Sequence, residues 1–407
     1  MKLRSRESLE GIDGTYARSL YRASGYTSSD LKKPLIAIAN SWTEANPGHY
    51  HLRELANNAK NGIISAGGMP VEFNTIAPCD AIAQGRGMHY ILPSRDIICA
   101  SVELMLQAHQ FDAVVMICSC DKIIPGMLMS SLRCNIPTIF LTGGTMLPFN
   151  SNNGAMVACD VKEAIGKYKS GEINEKELEY IESNACCSPG LCSMMGTAST
   201  MSCIVEALGL SLPLCSTMPA MSSAKRVSAK LTGEQIMKVL DYGLTPRQII
   251  TEASINNAIK VGMSIGGSTN MLLHIPAIAK EAGIDVPLDI FDEISRKTPL
   301  LAKFKPASQF TLMDFHSAGG IPALMKEMQS LLELDLPTVT CSTIRENLAN
   351  VNIKKNDVIH SLDNPLASEG GIAILYGNLA QKGAVVKQSA VNPKMMVHSG
   401  PAKVFNS

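Results

Sequence analysis

Cys120, Asp121 and Lys122 place a thiol, a carboxylate and an amine side by side, where the apolar run 112–118 gives way to Pro125-Gly126. Such a run reads as a buried strand, and the carboxyl edge of an open α/β sheet is where ligands and chemistry gather. A soft thiolate suits iron or an iron-sulfur cluster, and a hard carboxylate suits magnesium or manganese, so one tripeptide offers donors to two different metals. The same three residues also make an ordinary solvated turn. Further cysteines cluster nearby in type and spacing: Cys118 precedes Cys120 by two positions, and Cys186, Cys187 and Cys192 punctuate the turn-rich stretch 184–193. The sequence has no CxxC pair, which argues against a structural zinc knuckle. Cys99, Cys134, Cys159, Cys203 and Cys341 stand singly in apolar or helical settings and read as packing residues.

The elements that must position these groups alternate along the chain. Apolar runs at 34–39, 71–76, 112–118 and 136–141 read as strands, and helical spacing follows at 51–66, 94–109 and 125–133, with Pro125 fitting a first helical position. This alternation predicts an α/β fold built on a parallel sheet. The stretch 150–182 is more polar and reads as a connection carrying one helix at 175–182, before the cysteine loop opens a longer helix at 197–208. A second loop-to-helix switch lies at Gly266-Gly-Ser-Thr-Asn270. Its glycines allow close backbone approach, and the hydroxyls of Ser268 and Thr269 suit an anion or a substrate oxygen, although an ordinary helix cap uses the same residues. After a short helix at 343–348 the composition turns strand- and turn-rich, with 370–377 and 383–387 reading as paired strands.

Composition excludes several classes of partner. The 36 basic and 36 acidic residues balance, and no Lys/Arg run makes a local patch, so a nucleic-acid partner is not expected. The first ten residues are charged and carry no secretory core, and no stretch reaches the ~18 apolar residues of a membrane span. A cytoplasmic chain with no membrane partner is expected, so the 12 cysteines read as packing groups, metal ligands or nucleophiles and not as disulfides.

In order and spacing, seven stretches carry a resemblance: Asn40-Ser-Trp-Thr-Glu-Ala-Asn-Pro-Gly-His-Tyr-His-Leu52, Glu72-Phe-Asn-Thr-Ile76, Leu92-Pro-Ser-Arg95, Ser119-Cys-Asp-Lys-Ile-Ile-Pro-Gly-Met127, Gly190-Leu-Cys-Ser193, Glu206-Ala-Leu-Gly-Leu-Ser-Leu-Pro213 and Gly266-Gly-Ser-Thr-Asn270. Gly400-Pro-Ala-Lys-Val404 closes the series. On these the chain resembles the dihydroxy-acid and aldonic-acid (phosphogluconate-type) dehydratase family. The resemblance implies a parallel-sheet α/β/α domain over residues 1–354 and the start of a smaller, barrel-like β-rich domain over 355–407. It implies removal of water from a 2,3-dihydroxy acid to give a 2-keto acid, with an iron-sulfur cluster and Mg2+ at the site. Cys120 and Cys192 are then the implied cluster ligands, Asp80 and Asp121 the magnesium ligands, and Lys122 a carbamylated lysine completing the magnesium site. An unmodified Lys122 would instead be the salt-bridge partner of Asp121.

Two departures from the family pattern matter. Gly48 stands where two-iron members carry a third cluster cysteine, which favours a 4Fe-4S over a 2Fe-2S cluster; Cys79 is the first candidate for the third ligand, with Cys186 and Cys118 behind it. The chain ends at Ser407, whereas family members continue through a Glu-Gly-Pro magnesium ligand and a glycine-rich turn whose serine is the implied base. No base is therefore assigned; His49, His51 and His274 are of the right type, but each reads first as a structural histidine. A partial second domain would expose apolar surface, so association as a homodimer is expected. For the small-molecule substrate, 184–201 looks closer to sugar-acid dehydratases, while 47–49, 93–95 and 120–127 are similar to the branched-chain enzymes, which is the reading preferred here. A non-catalytic cluster-binding or sensor domain is the alternative of another class.

Overall fold

Four apolar runs become parallel strands because a helix returns the chain over the sheet after each of the first three. In this computed structural model, which describes residues 3–152, 154–353 and 355–404, the series runs β1 (Leu35–Asn40), α1 (Leu52–Ser65), β2 (Met69–Asn74), α2 (Ile91–Ala108), β3 (Ala113–Cys118), α3 (Ile123–Cys134) and β4 (Thr138–Thr142). The expected domain boundary at Lys354 and the ends 1–2 and 405–407 lie outside the described residues. Strand order is β2-β1-β3-β4 with every neighbour parallel. Every residue of β1, β3 and β4 is buried, which explains why these strands are continuously apolar and do not alternate.

β2 is the edge strand and is only half-buried. It begins two residues earlier than the sequence predicted, taking in Pro70, because an edge strand can place a residue without an N–H where no ladder bond is lost. α3 likewise starts before Pro125, which is tolerated because first-turn N–H groups have no partner within the helix.

Beyond β4 come an antiparallel pair, β5 (Phe149–Ser151) and β6 (Gly154–Met156), and the helices α4 (Ala158–Ser170), α5 (Glu175–Asn184), α6 (Thr197–Ala207), α7 (Ser223–Tyr242), α8 (Glu252–Ser264), α9 (Met271–Glu281) and α10 (Leu288–Lys297). The stretch 150–182 is thus more ordered than the connection predicted for it. Its polarity reflects an exposed hairpin and two surface helices, the second started by a capping box between Asn174 and Glu177. The last described pair, β7 (Ala373–Leu375) and β8 (Ala384–Val386), lies with β7 against α10, and Ile372 and Ile374 join the common core. Of the expected barrel, the described residues hold this one two-stranded pair. No helix among them is long and apolar enough to cross a membrane.

The tightest contact behind the sheet is between α1 and α7, and two glycines make it possible. A Cβ on Gly233 would strike the Ala59 carbonyl, and one on Gly62 would strike the Lys230 carbonyl, so the two backbones touch where side chains would hold them apart. Gly233→Ala should therefore destabilise the chain by about 1–3 kcal/mol. Gly166→Ala, on exposed α4 with open space around it, should stabilise by about 0.4–1 kcal/mol. Urea unfolding of the two variants reads both signs, and equal effects would contradict the packing argument.

Candidate active site at the strand ends

The order β2-β1-β3 places the reversal of winding between β1 and β3, the position at which open sheets of this kind form a crevice. Cys120, two residues beyond β3, adopts φ 61, a left-handed conformation that non-glycine residues rarely hold. That strain aims the thiol at the loop after β1, where Cys120 Sγ donates to Asn46 Oδ1 at 3.4 Å. Asn46 Nδ2 in turn donates to the Ala77 carbonyl at 3.2 Å, and Asn46 Oδ1 also accepts from Gly48 N at 2.9 Å. One buried asparagine thus ties together the loops that follow β1, β2 and β3. It lies within the Asn40–Leu52 stretch, yet its residue type gave no hint of this bridging role.

Backbone hydrogen bonds bring in the cysteine loop. Gly190 N donates to Pro47 O at 3.0 Å, Leu191 N to Gly144 O at 3.0 Å, and Met146 N to Leu191 O at 2.8 Å. Gly190 has φ +134, and a Cβ there would lie 2.5 Å from Met146 N, so only glycine lets this loop seat. Cys192 is then carried to the charge neighbourhood of Cys120.

Electrostatics show which groups meet. Burial pushes the Cys120 thiol well above its ordinary value, and Cys192, Cys79 and Asp121 push it the same way. Burial raises Cys192 to about 12, reinforced by Asp121, Cys186, Asp80 and Cys79. Cys79 is raised by burial and by Asp80 and Asp121, and Cys186 by burial, Cys187 and Cys79. Asp121 is raised to about 7 by burial and by the charge and hydrogen bond of Asp80, with Lys122 and the Thr197 hydroxyl opposing. Lys122 Nζ stands 3.8 Å from Asp121 Oδ2. The thiols of Cys79, Cys120, Cys186 and Cys192 and the carboxyls of Asp80 and Asp121 are therefore mutual neighbours.

They do not close on one point. Among the described residues no group of three or more His, Cys, Asp or Glu side chains is gathered so as to hold a metal ion; Cys120 bonds to Asn46, and Asp121 to Asp80 and Thr197. Cys118, the remaining cysteine considered as a ligand, is buried within β3 with Cys215 and Lys225 as its charged neighbours, and serves the core.

Ser268 reaches the site through an intermediary. Its Oγ lies 3.0 Å from Thr197 Oγ1, its N–H donates to Thr200 Oγ1 at 2.9 Å, and Asn270 Nδ2 donates to Thr197 Oγ1 at 2.8 Å. The 266–270 turn is thereby clamped on the start of α6, and Thr197, which the sequence did not single out, connects it to Asp121. Thr269 accepts from Leu272 N through its carbonyl, as a helix-start residue does.

The three histidines are buried and held neutral. Burial lowers His49 to about 4 and His274 to about 3, and lowers His51 as well; His49 Nδ1 lies 2.7 Å from Ser41 O, and His51 Nε2 donates to Gly143 O at 2.7 Å.

The carboxyl pair has a measurable consequence. Asp121's folded value lies above the ordinary 3.8, so the folded chain keeps a proton that the unfolded chain releases, and stability falls as the pH rises from about 4 to about 7. Asp121→Asn removes this burden. In metal-free buffer the variant should be more stable than the parent at pH 8, by more than about 1 kcal/mol, with the gap closing toward pH 4. Thermal melts across that range check it, and a pH-independent gap would contradict it.

Residues 33–347 match the family model for the dihydroxy-acid/6-phosphogluconate dehydratase N-terminal region, and residues 357–407 the model for the C-terminal region. The chain is 49% identical over 402 residues to the dihydroxy-acid dehydratase of Methanobrevibacter smithii, spanning 98% of this chain and 73% of that protein. It is 46% identical over 407 residues to the dihydroxy-acid dehydratase of Methanosphaera stadtmanae, and 47% identical over 408 residues to that of Acetivibrio thermocellus, each alignment spanning 100% of this chain and 74% of the relative. The chain belongs to the dihydroxy-acid/6-phosphogluconate dehydratase family and is, by that membership, a hydro-lyase.

Proposed function

We propose that the chain dehydrates a 2,3-dihydroxy acid ending in a short branched alkyl group to the corresponding 2-keto acid, as a step of branched-chain amino-acid synthesis. The observation that carries this reading is the meeting of buried thiols with the neighbouring carboxyls of Asp80 and Asp121 at the ends of β2 and β3, in a chain whose relatives named above are dihydroxy-acid dehydratases.

The donor set suits two unlike metals. Cys120, Cys192 and Cys79 would hold an iron-sulfur cluster of the four-iron type, and Asp80, Asp121 and a carbamylated Lys122 would hold a magnesium ion. Gly48 supports the cluster assignment, since a Cβ there would come within 2.8 Å of Cys120 Sγ and 3.4 Å of Ser119 Oγ; glycine leaves that side of the thiol open. Asp80 and Asp121 support the cation assignment, because the neighbouring Asp80 helps keep Asp121 protonated and a cation would take that proton's place. When bound, the two metals supply Lewis acidity at the C3 hydroxyl and at the substrate's carboxylate and C2 oxygen.

The protein's own part is positioning. Asn46 orients the Cys120 thiol, and the Thr197 hydroxyl donates to Asp121 and fixes the carboxyl's direction. Ser268 and Asn270 hold Thr197 in turn, so the 266–270 turn acts on substrate binding through the magnesium ligand.

Anaerobic reconstitution with iron and sulfide, followed by turnover of 2,3-dihydroxyisovalerate against gluconate and arabinonate, tests the reading. A brown chain that prefers dihydroxyisovalerate is expected, with colour and turnover both lost in Cys192→Ser. A sugar-acid preference would overturn the substrate assignment, and a colourless wild-type chain would overturn the cluster.

A further inference from the structure

Ser119, the residue between the end of β3 and Cys120, is fully buried, and its hydroxyl has no hydrogen-bond partner. An unpaired buried hydroxyl costs the fold stability, so its retention calls for a use outside the fold's own bonding. Two glycines locate it. A Cβ on Gly48 would stand 2.8 Å from Cys120 Sγ, 3.2 Å from Asn46 Oδ1 and 3.4 Å from Ser119 Oγ, so these three atoms surround one point at which glycine places no side chain. A Cβ on Gly143 would stand 3.2 Å from Ser119 Cβ, so the serine is seated between the two glycines.

The bonding of Cys120 must change when it serves as a ligand. As a thiol it donates to Asn46 Oδ1 at 3.4 Å. A cysteine holds metal as the thiolate, which can only accept. Its present partner has nothing to give: Asn46 Oδ1 is an acceptor, Asn46 Nδ2 is engaged with Ala77 O at 3.2 Å, and Gly48 N with Asn46 Oδ1 at 2.9 Å. The Ser119 hydroxyl is an unspent donor facing the same point as the sulfur. A similar pairing recurs at the second implied ligand, where Ser193, next to Cys192, is also buried with an unpartnered hydroxyl.

We propose that the Ser119 hydroxyl donates a hydrogen bond to the Cys120 thiolate when a cluster is bound, and that this donor raises the cluster's reduction potential. This rests on the reading of Cys120 as a cluster ligand. Reduction adds one negative charge to the cluster and its sulfurs, and a donor beside a ligating sulfur stabilises the more negative state more strongly. By drawing charge off the sulfur, the same bond favours the Lewis-acid role of the iron.

The test compares the wild-type chain with Ser119→Ala and Ser228→Ala, each metal-free and after anaerobic reconstitution with iron and sulfide. Ser228, on α7, is buried with an unpartnered hydroxyl of its own and is the control. Metal-free, both Ala variants should melt no lower than the wild type, because neither hydroxyl holds a bond. In a dithionite titration followed by electron paramagnetic resonance, the reduced-to-oxidised ratio of the Ser119→Ala cluster at a given potential should fall about tenfold. That is a downward shift of about 59 mV for a one-electron couple, and Ser228→Ala should not move. Pulsed resonance after exchange into D2O should detect an exchangeable deuteron coupled to the wild-type cluster that is missing in Ser119→Ala. An unshifted potential or a retained deuteron would overturn the hydrogen bond and leave the cluster reading standing. A Ser119→Ala chain that melts lower without metal, or that folds and takes up no iron, would overturn it too, since the hydroxyl would then be holding structure. A wild-type chain that stays colourless would overturn the cluster reading and this bond together.

Discussion

The constraint on which the rest depends is that Asp80 and Asp121 lie close together with Asp121 largely out of solvent, so Asp121 keeps its proton up to about pH 7. Their shared hydrogen bond and Asp121's raised value express the same fact from two sides. The nearby thiols obey a parallel rule: Cys79, Cys120 and Cys192 are each pushed up by burial first and then by neighbouring acidic groups, Asp121 being common to all three. The region is destabilising to the bare fold and is held by structure around it.

That supporting structure is a short parallel sheet and its loops. Continuous burial of β1, β3 and β4 fixes where their carboxyl ends emerge, and the left-handed Cys120 turns the chain from β3 toward α3 with its thiol facing inward. Asn46 then bridges three loops, and the bonds of Gly190 and Leu191 to Pro47 and Gly144 bring Cys192 across from a distant part of the chain. Backbone atoms carry most of this assembly, so its precision depends on glycines at positions no side chain could occupy.

Much of this was legible in the residues. The strands β1, β3 and β4 announced themselves as apolar runs, and the Cys-Asp-Lys turn stood out by its three residue types. β2 begins two residues before the apolar run at 71–76, and only the sheet order reveals that this edge strand tolerates Pro70. The helix α4 and the pair β5–β6 were hidden in a polar stretch because surface elements bury little apolar area. Ser268 was noticed for its hydroxyl, yet its partner Thr197 was not, since two residues so far apart in sequence give no sign that they touch. The contact of Arg95 with His274 was likewise invisible, being a product of helix packing.

The central claim is that the aspartate pair holds a proton which a divalent cation displaces. Isothermal titration of Mg2+ into the metal-free chain, repeated in buffers of different ionisation enthalpy, counts that proton directly. The account predicts release of about one proton per bound ion near pH 6, falling toward none above pH 8, since ligands must be deprotonated to bind. Binding with no proton release at pH 6 would contradict it, because the two carboxyls would then both be ionised before the cation arrives.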